Sequence, residues 1–154
     1  MRKSLTFTAR NIAALAAASA FSALLGSSAL AQPAHPAEMS KADLTGGMFD
    51  SPDTSVSENG TVLDITSLLS SDGKFASGMY RAGASRFEID EPYGVDEFMY
   101  FLEGGVTLTS SDGTVTEIEA GEAVTIPREW TGVWETDGYM KIWVIYSEDG
   151  SALQ

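Results

Sequence analysis

An acidic side chain set into an aromatic strand is the feature of this sequence with the most chemical potential. Glu97 lies in the stretch Val95–Gly104, where large apolar residues surround it. A carboxylate in such surroundings loses hydration, so its pKa rises unless a cation or a hydrogen-bond donor compensates. We therefore predict that Glu97 acts as a general acid or base or holds a ligand, or that it pairs with an arginine such as Arg81 or Arg86.

Aromatic and basic side chains near Glu97 complete a candidate ligand site. Trp130 and Trp134 are able to stack on a sugar, an amine or a ring, or alternatively to fill the interior, a role that suits Trp134 slightly better. Tyr93 lies in the loop before Glu97, and Arg86 lies on the preceding strand. We predict that Arg86, Tyr93, Trp130 and Trp134 bind the ligand and that Glu97 is the catalytic candidate.

Three acids, Asp90, Glu91 and Glu97, would offer oxygen ligands to a hard divalent cation. Asp90 and Glu91 are more often solvated loop acids. The chain has one histidine and no cysteine, and the histidine, His35, is expected to be solvated because it lies in a proline-flanked tail. Without several imidazole or thiolate donors we expect no transition-metal centre, and we predict no cofactor.

Regularly spaced turn residues indicate the elements that must position these side chains. From Gly60 onward, glycine and Asp-Gly signals recur about every ten residues, which is typical of an all-β sandwich or barrel. The β-type runs between them predict nine strands: Thr61–Leu68, Ala76–Arg81, Ser85–Glu91, Glu97–Glu103, Val106–Ser110, Thr114–Ile118, Ala123–Ile126, Gly132–Glu135 and Met140–Ser147.

The last of these strands is expected to be well buried. Over Met140–Tyr146 both alternating faces are largely apolar, and Lys141 shares one face with Trp143. Tyr80 and Tyr100 are expected in the core together with Trp143.

The first 31 residues have the three parts of a secretory signal peptide. A basic start that ends at Arg10 precedes the Ala/Leu-rich run Ile12–Leu25, and Ala29–Ala31 is a small-x-small cleavage site. The apolar run is too short for a membrane span, and cleavage would remove it. We therefore predict a periplasmic or secreted protein.

The rest of the chain is predicted to comprise a flexible arm over 32–56, one barrel domain over 57–148 and a tail over 149–154. All 22 acidic residues lie beyond residue 31, whereas three of the nine basic residues lie before it. Such an acidic surface repels phosphate backbones and anionic lipids. Nucleic acid and, after signal cleavage, membranes are therefore excluded as partners, and a small-molecule ligand is expected.

Three motifs resemble the cupin superfamily. They are Asp96–Gly104, Gly121–Pro127 and Trp130–Glu135, and they are most similar to the branch named for the (S)-ureidoglycine aminohydrolase cupin domain, which also resembles the ethanolamine-utilisation cupins. The resemblance implies a single jelly-roll β-barrel of the RmlC-like type, with its site inside the barrel mouth. It also implies that a homodimer is an option, since such barrels are often dimeric.

The resemblance also bears on metal binding. Glu97 matches the ligand glutamate of the family's metal motif, but the family's histidine positions carry other residues here, namely Asp90 or Glu91, Pro92 or Tyr93, and Gly132. The implied protein is a cupin without the ordinary His-ligated iron, manganese or nickel chemistry.

Three functions remain open at the level of sequence. The first is an exported cupin that binds a small polar or cationic organic ligand in the barrel. The second is an enzyme, metal-independent or with a carboxylate-bound metal, whose substrate by family likeness would be a small nitrogenous or carbohydrate compound. The third is a structural or partner-binding barrel with a filled interior.

Overall fold

The computed structural model describes residues 35–150 and residue 153, and its β-strands are all antiparallel. The seven strands are β1 (Ser55–Val56), β2 (Val62–Leu69), β3 (Phe75–Ile89), β4 (Asp96–Ser110), β5 (Val115–Glu119), β6 (Ala123–Ile126) and β7 (Gly132–Tyr146). The strand order is β1-β2-β3-β7-β4-β5, and β6 pairs with β4. The predicted all-β jelly-roll class is confirmed, whereas the predicted signal peptide lies outside the described residues.

Three long strands cross the fold where pairs of shorter strands were predicted. Each of β3, β4 and β7 has 15 residues and continues through a glycine that was expected to end it. Gly83 lies opposite Gly138, and Gly138 lies opposite Gly105, so the three glycines form one row across the sheet. Because glycine has no Cβ, strands can bend sharply at such a row while their pairing continues. The nine predicted strands therefore become six, and the short strand β1, which was not predicted, is the seventh.

Two short 3-10 helices, Asp43–Thr45 and Gly47–Asp50, lie before the first strand. Apolar side chains of this segment pack on the outer face of the sheet, where they cover Ile65, Met79 and Met140. The guanidinium of Arg81 lies 5.3 Å from the centre of the Phe49 ring. This packing differs from the flexible arm predicted over 32–56. No helix within residues 35–150 is long and apolar enough to span a membrane.

The main core lies inside the barrel and is rich in aromatic side chains. Its buried members come from β3 to β7 and the β3–β4 loop: Ala82, Ile89, Tyr93, Met99, Phe101, Val106, Leu108, Ile118, Ile126, Trp134 and Tyr139. Burying a large apolar side chain contributes about 1.5–3 kcal/mol to stability. The core thereby surrounds the inward-facing polar side chains with apolar groups.

Candidate functional site

The strand register brings three polar side chains and an aromatic ring into one row. Asp64 on β2 lies opposite Tyr80 on β3, Tyr80 lies opposite Lys141 on β7, and Lys141 lies opposite Phe101 on β4. Directly paired residues of antiparallel strands point to the same side of the sheet. A carboxylate, a phenol and an ammonium therefore share the inner face of four adjacent strands.

A buried ion pair lies beside this row. The ammonium Nζ of Lys141 lies 2.7 Å from Oε1 of Glu97, and the two side chains are only 3% and 6% exposed. Nζ also lies 2.8 Å from Sδ of Met99. The hydroxyl of Tyr93 donates to Oε2 of Glu97. Both carboxylate oxygens of Glu97 thus have partners, and the prediction that an arginine pairs with Glu97 is wrong.

Aromatic rings enclose the ammonium of Lys141 on its other sides. Nζ lies 5.3 Å from the ring centre of Trp134, 5.5 Å from that of Tyr80 and 5.8 Å from that of Tyr139. The negative face of a ring attracts a cation, and this attraction is larger when the pair is removed from water. The rings and Glu97 together replace the hydration that Lys141 loses on burial.

The phenols around the ion pair remain protonated donors. Burial, reinforced by the negative charge of Glu97 and by the hydrogen bond to it, raises the pKa of Tyr93 well above its usual value. Burial also raises the pKa of Tyr139, with Tyr80 and Glu97 adding to the shift. Neither group therefore supplies a base near neutral pH.

Asp64 behaves differently from these phenols. Burial raises the pKa of its carboxyl to about 6, although the hydrogen bond from Trp143 and the charge of Lys141 act in the opposite direction. The indole Nε1 of Trp143 donates to Oδ1 of Asp64 over 3.1 Å. Asp64 can consequently change its protonation state close to neutral pH.

A cavity of about 320 Å³ lies against Asp64 and ends at two of the rings that enclose Lys141. Its aromatic walls are Tyr80, Phe87 and Tyr139. Its polar lining consists of the Asp64 carboxylate and five side chains without charge: Ser55, Ser57, Asn59, Thr61 and Ser85. Glu97 does not line this cavity, so the carboxylate that a small molecule reaches there is Asp64.

Two of the predicted site residues lie in the interior beside Glu97. Tyr93 is buried and bonded to Glu97, as described above. Trp134 is buried and stacks on Phe87 with ring centres 5.9 Å apart, which places it directly behind a cavity wall. Its indole Nε1 has no hydrogen-bond partner within the described part of the chain.

The other two predicted ligand residues lie away from the cavity. Trp130 is half-buried, and its Nε1 donates to Oγ of Ser110 over 3.0 Å while its ring meets Tyr93 edge-on. Arg86 points outward with a side chain that is 53% exposed, and it pairs with Glu88 at 3.3 Å and Glu135 at 3.4 Å. The structure therefore does not bring Arg86 to Glu97.

The residues present do not fit the metal centre that the cupin resemblance brings to mind. Glu97 is buried and already bonded, whereas Asp90 and Glu91 are exposed. His35 is also exposed. Within residues 35–150 no three histidine, cysteine or acidic side chains lie close enough to hold an ion. The expectation that no cofactor is bound stays a prediction.

Sequence reasoning did not assign Lys141, Asp64 or Tyr80 to this site, and it placed one residue outside the site, Tyr100, wrongly. Lys141 was assigned to an apolar strand, and Asp64 was not considered. Tyr80 packs against the core as expected and also lines the cavity. Tyr100 was also expected in the core, and this is wrong because it is 37% exposed. A lone lysine and a lone aspartate inside apolar strands were the available signal, since each needs a buried partner.

The comparison with protein families agrees with this geometry. Residues 69–141 match the family model of the EutQ-like cupin domain. The chain therefore has a cupin jelly-roll fold and, over residues 69–141, resembles the EutQ-like cupin domain. The match begins at the end of β2 and extends to Lys141, so it includes both partners of the buried ion pair. No curated protein matches the chain.

Several solved structures are similar to this cupin domain. One is the EutQ protein of Clostridium difficile, 23% identical, with 64% of this chain and 84% of that chain covered and a TM-score of 0.48. Another, from Salmonella typhimurium LT2, is described as ethanolamine utilization protein Q and is 21% identical, with 58% and 72% covered and a TM-score of 0.49. A DUF861 family protein of Thermotoga maritima is 30% identical, with 42% and 73% covered and a TM-score of 0.39.

Proposed function

We propose that this cupin is an exported protein that binds a small polar or cationic organic ligand in the cavity beside Asp64. The observation that carries the proposal is the lining of that cavity, which combines one carboxylate, three aromatic rings and five uncharged polar side chains. Small-molecule sites typically have apolar walls with a few polar groups that set the orientation of the ligand. A volume of about 320 Å³ suits a small organic molecule.

Glu97 acts on this site indirectly, through Lys141, and does not contact the ligand. Its oxygens are occupied by Lys141 and Tyr93, so its role in the proposal is to hold Lys141 against the rings of Tyr80 and Tyr139. Trp134 supports the wall at Phe87 in the same way. In this proposal Asp64, and not Glu97 as the sequence suggested, contacts the ligand.

A metal-independent enzyme is the second candidate, and the titration of Asp64 favours it. A general acid or base works best when its pKa lies near the working pH, and burial brings the pKa of Asp64 to about 6. By its resemblance to the (S)-ureidoglycine aminohydrolase cupin domain, the substrate would be a small nitrogenous or carbohydrate compound. In that case Asp64, rather than Glu97, transfers the proton.

The binding proposal is tested by ligand screening on the chain without its predicted signal segment. We expect thermal-shift and NMR screens of small polar compounds to give ligands whose chemical-shift changes centre on Asp64, Tyr80 and Phe87. The variant Asp64→Asn should lose these ligands, and the matched variant Asp90→Asn, at an exposed acid, should retain them. The proposal fails if no compound perturbs the cavity, or if Asp64→Asn binds as the parent does.

Turnover of a bound compound separates the two candidates. An enzyme would convert the ligand at a rate that falls in Asp64→Asn, whereas a binding protein would leave the ligand unchanged in both variants. Export is tested separately by the mass of the chain recovered from the periplasm or medium, which we expect to begin at Gln32.

A further inference from the structure

The charges at the centre of this barrel do not balance. Glu97 and Lys141 form a close pair in which one charge offsets the other. Asp64 adds a second carboxylate to the same interior, and the charges of both Lys141 and Glu97 act on it. An ionised Asp64 therefore leaves one uncompensated negative charge in surroundings where such a charge is costly.

The partners of Asp64 within the protein are neutral donors. Trp143 donates from its indole Nε1 over 3.1 Å, and the backbone N–H of Ile65 acts in the same direction by lowering the pKa of the carboxyl slightly. No lysine or arginine lines the cavity among the described residues. The cavity is thus a space with one carboxylate, aromatic walls and no cation of its own.

We propose, building on the binding function above, that the ligand is an organic monocation whose ammonium or guanidinium group pairs with Asp64. Such a group supplies the positive charge that the interior lacks, and its carbon atoms contact the rings of Tyr80, Phe87 and Tyr139. Aromatic faces bind organic cations well in sites removed from water. Phe87 is best placed for this contact, because Tyr80 and Tyr139 already face Lys141.

The same features argue against other ligand classes. An anion would meet Asp64 with no basic side chain in the lining to offset the repulsion. A bare divalent ion would need several oxygen ligands, whereas the cavity offers a single carboxylate. A neutral polyol would leave the charge of Asp64 uncompensated.

Binding of a cation is coupled to the proton of Asp64. The charged and titratable groups that act on Asp64 are Lys141, Glu97, Tyr80 and Tyr139. The phenol pKa values of Tyr80 and Tyr139 are raised above their usual value, mainly by burial. With the pKa of Asp64 at about 6, a ligand that binds only the ionised form gains about tenfold in affinity between pH 5 and pH 7.

The test compares pairs of probes that share a shape and differ in charge. Choline with 3,3-dimethylbutan-1-ol, and butylammonium with butan-1-ol, are titrated into the chain at pH 5, 6 and 7 by calorimetry. We expect each cation to bind more tightly than its neutral partner, with affinity that rises with pH. Asp64→Asn should bind both members of a pair equally weakly, whereas Asp90→Asn should keep the preference for the cation.

The outcomes distinguish this inference from the proposed function. If neutral probes or polyols bind in the cavity and cations do not, the binding function stands and the inference is overturned. If neither class binds, both fail. A cation preference that persists in Asp64→Asn also overturns the inference, because the charge would then be recognised elsewhere. Folding of Asp64→Asn is checked by the NMR signal of the Trp143 indole N–H.

Discussion

Nζ of Lys141 lies 2.7 Å from Oε1 of Glu97, although the two residues are four positions out of register on neighbouring strands. Lys141 is directly opposite Phe101, and Glu97 is directly opposite Ile145. The lysine side chain therefore reaches along the inside of the barrel, past Met99, to its partner. This pair ties β7 to β4 at a depth from which water is excluded.

Removing one member of this pair should be strongly destabilising. We expect Lys141→Met to lower the free energy of unfolding by about 3–5 kcal/mol, because it leaves the buried charge of Glu97 without a cation. Urea unfolding provides the measurement. The double variant Glu97→Gln/Lys141→Met, which has no charge left to bury, should recover part of the loss. As a control, Arg86→Met removes two exposed ion pairs and should cost at most about 1 kcal/mol. Equal effects of Lys141→Met and Arg86→Met would contradict this account.

The hydroxyl of Tyr93 is predicted to stabilise the loop before β4. Tyr93→Phe removes the donor to Oε2 of Glu97 and should lower the free energy of unfolding by about 1.5–3 kcal/mol, as expected for a hydrogen bond to a charged group. Tyr100→Phe, on the exposed face of the same region, is the matched control and should be close to neutral. Hydrogen exchange of the Tyr93 and Gly94 amides, which donate to Trp130 and Arg128, should become faster in Tyr93→Phe alone.

Asp64 should make the fold less stable as pH rises. Burial raises the pKa of its carboxyl from 3.8 to about 6, so the folded state holds the proton more tightly than the unfolded state does. The stabilising effect of that proton is complete below about pH 4 and is lost by the time pH has risen through about 6. We expect the free energy of unfolding of Asp64→Asn to change over this pH range by about 3 kcal/mol less than that of the parent. Chemical unfolding of both proteins at pH 4 and pH 7 measures this difference. An equal change in the free energy of unfolding for the two proteins would refute the prediction.

The two buried tryptophans on β7 offer a matched comparison. Trp143→Phe removes the donor to Asp64, which should raise the pKa of Asp64 further because that hydrogen bond lowers it. Trp134→Phe removes an Nε1 that has no partner among the described residues, so its cost is loss of packing and a weaker contact of the ring with the Lys141 ammonium. At pH 7 we expect Trp143→Phe to lower the free energy of unfolding by about 1 kcal/mol more than Trp134→Phe does. Reducing the pH to 4 should remove much of that difference, since Asp64 is then protonated.

Much of the fold could be predicted because turn residues and alternation are local signals. The ten-residue rhythm of glycines indicated an all-β chain, and the motif around Glu97 led to the cupin family. The strand count was wrong because glycine alone does not distinguish a turn from a bend. At Gly83, Gly105 and Gly138 the difference lies in the partner strand, which places the three opposite one another.

The candidate site was harder to predict because its contacts are long-range. Glu97 and Lys141 are 44 positions apart in the chain, and Asp64 and Trp143 are 79 apart. Alternation placed Lys141 on one face of its strand but did not show that Glu97 shares that interior. Arg86 looked like the natural partner for an acid, yet its neighbours Glu88 and Glu135 lie closer on the outer face.

The central position of β7 also determines when the fold can be completed during synthesis. This strand is the last of the described strands in chain order, and it is the only one of them that pairs with both β3 and β4. Before residue 132 emerges, the half of the sheet that contains Asp64 and Tyr80 has no strand to join it to the half that contains Glu97. Completion of the sheet must therefore wait until β7 has emerged, and pairing across such sequence distances is slow.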